Sequence, residues 1–124
     1  MDERELVSPD GQLRLLVVSP DGDITVGFAD CPSHTHGDIL ASQYGVSEEP
    51  AVEKFVSDII EGRHVIAVWR VDGRVRDIWV PEHEGLTLQQ ELADLALNGM
   101  QGETVEFRRW DGSKVQVPSA NNVG

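Results

Sequence analysis

The run Cys31-Pro32-Ser33-His34-Thr35-His36-Gly37-Asp38 holds the densest set of potential ligands and nucleophiles in this 124-residue sequence. Alternate side chains of an extended backbone share a side, so His34 and His36 project together and Asp38 can join them. Two imidazoles and a carboxylate that leave one coordination position open suit a catalytic zinc or ferrous ion. The competing reading is a loop in which Asp38 caps the next helical turn and the histidines bond to backbone or line a partner surface. His64 and His83 stand in no motif. Cys31 becomes a nucleophile only if His34 or His36 draws off its proton. A lone cysteine before a proline matches no catalytic pattern. As the single cysteine it forms no intrachain disulfide, which suits a reducing compartment.

Trp69 and Trp79 carry a different kind of chemistry. Aromatic side chains give large contact area at low entropic cost and dominate interface energetics, so a pair on an uncovered sheet face anchors a protein or ligand. Covered, the same pair is ordinary core. No phosphate-cradling glycine loop, serine elbow, Cys-x-x-Cys pair or basic stripe with interleaved aromatics is present, and no cofactor-binding pattern with them. These absences point away from an enzyme. Twenty-two acidic residues against ten basic ones leave a net charge of −12. Such a surface repels nucleic-acid phosphates and anionic lipid, and it favours encounter with basic proteins.

The elements that must position these residues are legible in outline. Asp-Gly recurs at 10–11, 21–22, 72–73 and 111–112, each between stretches of high strand propensity, which is a hairpin signal. Residues 4–8 read as a short edge strand. Leu13 to Val18, apolar at almost every position, reads as a central strand. In Asp23 to Phe28 the side chains alternate, with Ile24, Val26 and Phe28 on one side. Val65–Val71 pairs with Val75–Val80, and Val105–Trp110 with Lys114–Val117. Three-residue loops at the last two turns set Val68 opposite Ile78, Ile66 opposite Val80 and Phe107 opposite Val117. Trp69, Trp79, Val71 and Val75 then share one face, and Trp110 shields the sheet end.

Two helices are expected. Ser47 caps the first, Glu48, Glu49 and Pro50 suit its first turn, and Val52, Phe55, Val56, Ile59 and Ile60 form its apolar stripe before Gly62. Thr87 and Gln90 open the second as a capping box, and it buries Leu88, Leu92, Leu95 and Ala96 before Gly99. A short helical turn fits within Asp38 to Tyr44. The expected fold is therefore α+β in the order ββ-α-ββ-α-ββ: a two-layer sandwich with two helices on one face of an antiparallel sheet of about six strands. Residues 1–118 form one domain, and 119–124 form a disordered tail. The N-terminus lacks a secretory pattern, and no run approaches the roughly 18 apolar residues of a membrane span, so the expected setting is cytoplasmic.

Asp23-Ile24-Thr25-Val26-Gly27-Phe28, closely followed by His34-Thr35-His36, resembles a segment of small bacterial proteins, some of them regarded as immunity proteins of polymorphic toxin systems. The later helix and the Val65–Trp69 strand come in a similar order. Gly37 stands where that pattern carries an aromatic. The resemblance implies a non-enzymatic neutraliser that binds a toxin domain. The leading expectation is thus a protein-binding, immunity-type protein with Trp69 and Trp79 as anchors and His34, His36 and Asp38 as polar contacts. The alternative is a metal-dependent enzyme or metal-binding protein using His34, His36 and Asp38. A homodimer joined through the open sheet face is a third reading.

Overall fold

The apolar stretch after Leu13 occupies an inner position in a sheet. The computed structural model describes residues 3–81 and 103–115. Within them β1 (Arg4–Val7), β2 (Arg14–Val18), β3 (Thr25–Phe28) and β4 (His34–His36) form an antiparallel meander in chain order. β2 therefore has a neighbour on each side, and Leu15 and Val17 are buried. β3 alternates as expected, with Ile24, Val26 and Phe28 buried.

Two helices follow, α1 (Gly37–Tyr44) and α2 (Glu48–Ile60), packed on each other. α1 is the short turn of the sequence reading extended to eight residues and closed by Gly45 in the left-handed region, φ +69°. α2 keeps its expected limits. Ser47 occupies the cap position but makes no side-chain cap bond, so the acidic first turn (Glu48, Glu49) is what complements the helix dipole. Gly62 follows α2 at φ +78°, and its carbonyl accepts from Arg109 Nη1 at 2.7 Å.

β5 (Ile66–Val71), β6 (Arg74–Trp79) and β7 (Glu103–Arg108) form a second antiparallel sheet in the order β6-β5-β7. The described strands thus make two sheets of four and three strands, whereas a single sheet was expected. The chain is α+β in both cases. β4 takes the free side of β3 and ends the first sheet there. β5 lies at the middle of the second, because it is apolar on both sides: Ile66 and Val68 face one way, Val65 and Ala67 the other. One core draws on both sheets and both helices, including Leu15, Val26, Leu40, Val52, Ile59, Val68 and Ile78. Trp110 also lies in this core at 5% exposure, so it fills the interior and does not shield a sheet end.

The β5–β6 hairpin reaches the expected Val68–Ile78 pairing by another route. Asp72 and Gly73 have φ +52° and +82°, both central residues of a two-residue turn that pairs Val71 with Arg74. An extra residue, Arg76, is inserted where the register shifts between Trp69 and Arg70. Val75 consequently pairs with Arg70 and leaves the face that Trp69 and Trp79 share. At the last turn Arg108 pairs with Lys114, and the Val115 N–H donates to the Phe107 carbonyl at 2.8 Å. Phe107 therefore faces Val115, two residues short of the expected Val117. At Asp21-Gly22 the connection is longer than a tight turn: Val18 pairs with Thr25, and Pro20–Gly22 form one 3-10 turn. The helix expected at 87–98, His83 and the tail from 119 lie outside the described residues. Among the described residues no helix is long and apolar enough to cross a membrane.

Candidate functional site

Pairing of β4 with β3 sets Thr25 opposite His36, Val26 opposite Thr35 and Gly27 opposite His34. Since Val26 points into the core, Thr35 takes the inner side, while His34 and His36 share the outer one. Their rings meet edge to face with centroids 4.9 Å apart. His34 Nδ1 lies 2.9 Å from the Pro32 carbonyl oxygen, which only accepts, so Nδ1 is the donor. His36 Nδ1 lies 3.2 Å from Asp23 Oδ2 and 3.4 Å from Thr25 Oγ1. Asp38, exposed in the first turn of α1, accepts the Ile39 N–H at 2.9 Å. The two histidines are brought together as the spacing implied. Asp38 does not complete them: no group of three His, Cys, Asp or Glu side chains among the described residues is placed to hold a metal ion.

Gly27 makes the close approach of β4 possible. A Cβ there would lie 3.0 Å from the His34 Cβ and 3.1 Å from the Ser33 carbonyl oxygen. A glycine inside an alternating strand signals such an approach, and it was the one cue in the sequence to this geometry. Gly27→Ala is expected to push β4 outward and cost about 1–2 kcal/mol, the usual scale of local overpacking. Urea unfolding reads the loss, and an unchanged midpoint would show that β4 yields freely.

Ser33, just before β4, is tied to the second sheet. Its N–H donates to Asp77 Oδ1 at 3.1 Å, and its hydroxyl donates to the other carboxylate oxygen. Asp77 Oδ1 also accepts the Ile78 N–H at 2.9 Å. Asp77 thereby positions the start of β4 against β6, a role that nothing in the sequence pattern distinguished. Cys31 lies beside this junction, half-buried against the core. Burial first, and then the charge of Asp77, push its thiol above the ordinary range, while a bond from the Ile78 backbone works in the opposite direction. A thiol held protonated is a poor nucleophile at neutral pH.

Beyond the Ser33–Asp77 tie the two chain segments part, and a cleft of about 330 Å³ opens between them. Leu15, Val26 and Phe28 of the first sheet, Phe55 of α2, and Ile78 and Val80 provide its apolar wall. Gly27, Ser33, His34 and Thr35 border it on one side, Trp79 and Pro81 on the other. No lysine or arginine is among these residues. The size falls at the lower end of ligand pockets, enough for an amino-acid-sized group. The cleft brings His34 and Trp79 into one site; Trp69, His36 and Asp38 are not part of it.

Trp79 also belongs to the opposite face of its sheet. It pairs with Ala67 and packs, half-buried, against the second apolar cluster of Val65, Ala67 and Phe107. Trp69, paired with Asp77, shares that face and is half-buried too. The tryptophans therefore lie across the sheet from the core that α1 and α2 cover. No family model matches the sequence, and no curated protein or solved structure was found similar to it.

Proposed function

We propose that this protein is a non-catalytic binding module for a basic partner protein, with the contact surface centred on the cleft between β4 and β6. The observation that carries the reading is a cleft with an apolar wall, free of lysine and arginine among its described residues, in a chain of net charge −12. Apolar pockets with a polar border supply binding energy, and the surrounding negative field speeds encounter with cations. The strand and His-x-His segment that resemble immunity proteins border the same cleft, which supports an immunity-type role in the cytoplasm against a basic toxin domain. Trp69 and Trp79 extend the surface on the other side of β6, with His34 at the junction.

The test is retention of native-host proteins on the immobilised wild type and on Trp79→Ala. One stoichiometric basic protein should bind the wild type, and Trp79→Ala should weaken it about 30-fold, the scale of an interface hot spot worth 2 kcal/mol. Salt should weaken both complexes by slowing association. Equal recovery on both proteins, or a partner that is itself acidic, would discard the reading.

A further inference from the structure

β4 ends one sheet and β6 ends the other, and the cleft lies between these two edges. The hydrogen-bond phase of β4 decides what its outer edge offers. The Gly37 N–H donates to the Ile24 carbonyl at 2.8 Å, which makes 24 and 37 a bonded pair in the same register as Thr25–His36 and Val26–Thr35. In an antiparallel ladder bonded and non-bonded pairs alternate. Val26–Thr35 is then bonded, while Thr25–His36 and Gly27–His34 are not. The N–H and C=O of His34 and the N–H of His36 accordingly point away from β3; the His36 carbonyl, at the N-cap of α1, takes that helix's first bond, so the outer edge offers three groups. An edge of this kind is a template for an added strand.

We infer that the occupant of the cleft is an extended, basic segment of the partner protein that adds to the outer edge of β4 and places one apolar side chain between the two sheets. This inference deepens the protein-binding reading and rests on it. Strand addition draws affinity from main-chain bonds and specificity from a pocket for alternate side chains, and both parts are here side by side. Thr35, on the inner side of β4, borders the pocket, and the apolar wall of Phe28, Phe55 and Ile78 accepts the side chain. Charge selects the segment. The described border carries no cation, Asp77 stands at one end of the cleft, and the chain as a whole is strongly acidic. Lysine or arginine flanking the apolar residue is favoured there, and glutamate is repelled.

The probes are the pentapeptide acetyl-Lys-Val-Phe-Val-Lys-amide, its Glu-flanked counterpart, a version methylated on its backbone nitrogens, and free phenethylamine. Amide shifts and hydrogen exchange in the full chain give the readout. The basic peptide should shift Gly27, Thr35 and Ile78 saturably and protect the His34 and His36 N–H groups. The Glu-flanked and methylated peptides should bind at least about 10-fold more weakly, a difference of 1.4 kcal/mol. His34→Pro removes the outward donor together with the imidazole, and it should weaken the basic peptide similarly, whereas His34→Ala, which loses the imidazole and keeps the donor, should bind the peptide as the wild type does. Thr35→Trp, which fills the pocket, should abolish binding.

Equal binding of the acidic or methylated peptide, shifts confined to Trp69, or phenethylamine binding as tightly as the peptide would each overturn the inference. A native partner that keeps full affinity for His34→Pro but loses it with Trp79→Ala would do so as well, while leaving the protein-binding reading in place. Edge occupancy by the basic peptide when no protein is retained from the host would support the edge site and remove that reading.

Discussion

Asp10→Ala is expected to destabilise the fold by about 3 kcal/mol, although the residue sits in an exposed hairpin loop. Its carboxylate accepts from the Ser8 hydroxyl at 2.6 Å and the Gln12 N–H at 3.1 Å, and its other oxygen lies 2.7 Å from Arg108 Nη1. The Arg108 side chain is only 4% exposed. β7 sets it on the core side, opposite Ile66, and it also donates to the Arg109 and Trp110 carbonyls, each at 3.1 Å. Removing the carboxylate leaves a guanidinium charge buried without its counter-ion, the costly half of a broken pair. Arg108→Met should cost less, about 1–2 kcal/mol, because Asp10 is a third exposed and water can take over its oxygens. The double variant should then be no worse than Asp10→Ala alone, which a double-mutant cycle in urea would reveal. A loss below about 0.5 kcal/mol for Asp10→Ala would mean that the pair contributes no more than an ordinary surface ion pair.

The same contact sets a pH dependence. The hydrogen bond from Arg108 is the main cause holding the Asp10 carboxyl well below the usual carboxylate range, and the Ser8 hydroxyl adds to it. A depressed folded-state value means that the unfolded chain takes up the proton first. The stabilisation is complete above the unfolded value of about 3.9 and is lost as the pH falls below it. Between about pH 5 and pH 2 the wild-type urea midpoint should therefore fall more steeply than that of Asp10→Asn. Parallel profiles would assign the acid sensitivity to other groups, of which Glu106, lowered chiefly by its bond from Lys114, is one.

Ile59→Ala is the second large effect, an expected loss of about 3–4 kcal/mol, against less than about 1 kcal/mol for Ile60→Ala. Both residues belong to the apolar stripe of α2 in the sequence. Ile59 is completely buried in the main core, whereas Ile60, one position further round the helix, is 42% exposed. Truncating Ile59 removes apolar contact and leaves a cavity between α2 and the sheets; truncating Ile60 removes surface that water already reaches. Thermal or urea unfolding of the two variants measures the contrast directly. Comparable losses would place the helix in a different rotation about its axis.

Periodic patterning carried much of the fold on its own. The edge strand, the inner β2, the alternation of β3 and the limits of α2 all follow from which positions are apolar, since each such element must bury one face. The β5–β6 register was legible for an incomplete reason. Asp72-Gly73 is satisfied by its two-residue turn, and that turn alone would put Asp77 opposite Val68 on the core side. Inserting Arg76 reverses the parity, returns Ile78 to the core and leaves Asp77 free to hold Ser33. The need arises from packing several residues away, so local turn chemistry could not reveal it. β4 is not legible as a strand, because three residues with two histidines carry no hydrophobic alternation; it exists because β3 offers a free edge and Gly27 lets it approach.

The candidate site divides along the same line. Amino-acid sequence alone determined that His34 and His36 share a side and that the molecule is strongly acidic, because alternation and charge count are local or additive properties; that Trp69 and Trp79 share a face depends on the bulge at Arg76. Only the tertiary structure decided that Asp38 stands apart from the histidines and that Arg108 is buried against Asp10. It also decided that a cleft separates two sheet edges. Asp38 leaves the histidines because the chain passes from β4 into α1 at Gly37; the other two depend on residues dozens of positions apart, whose meeting is set by how two sheets share one core.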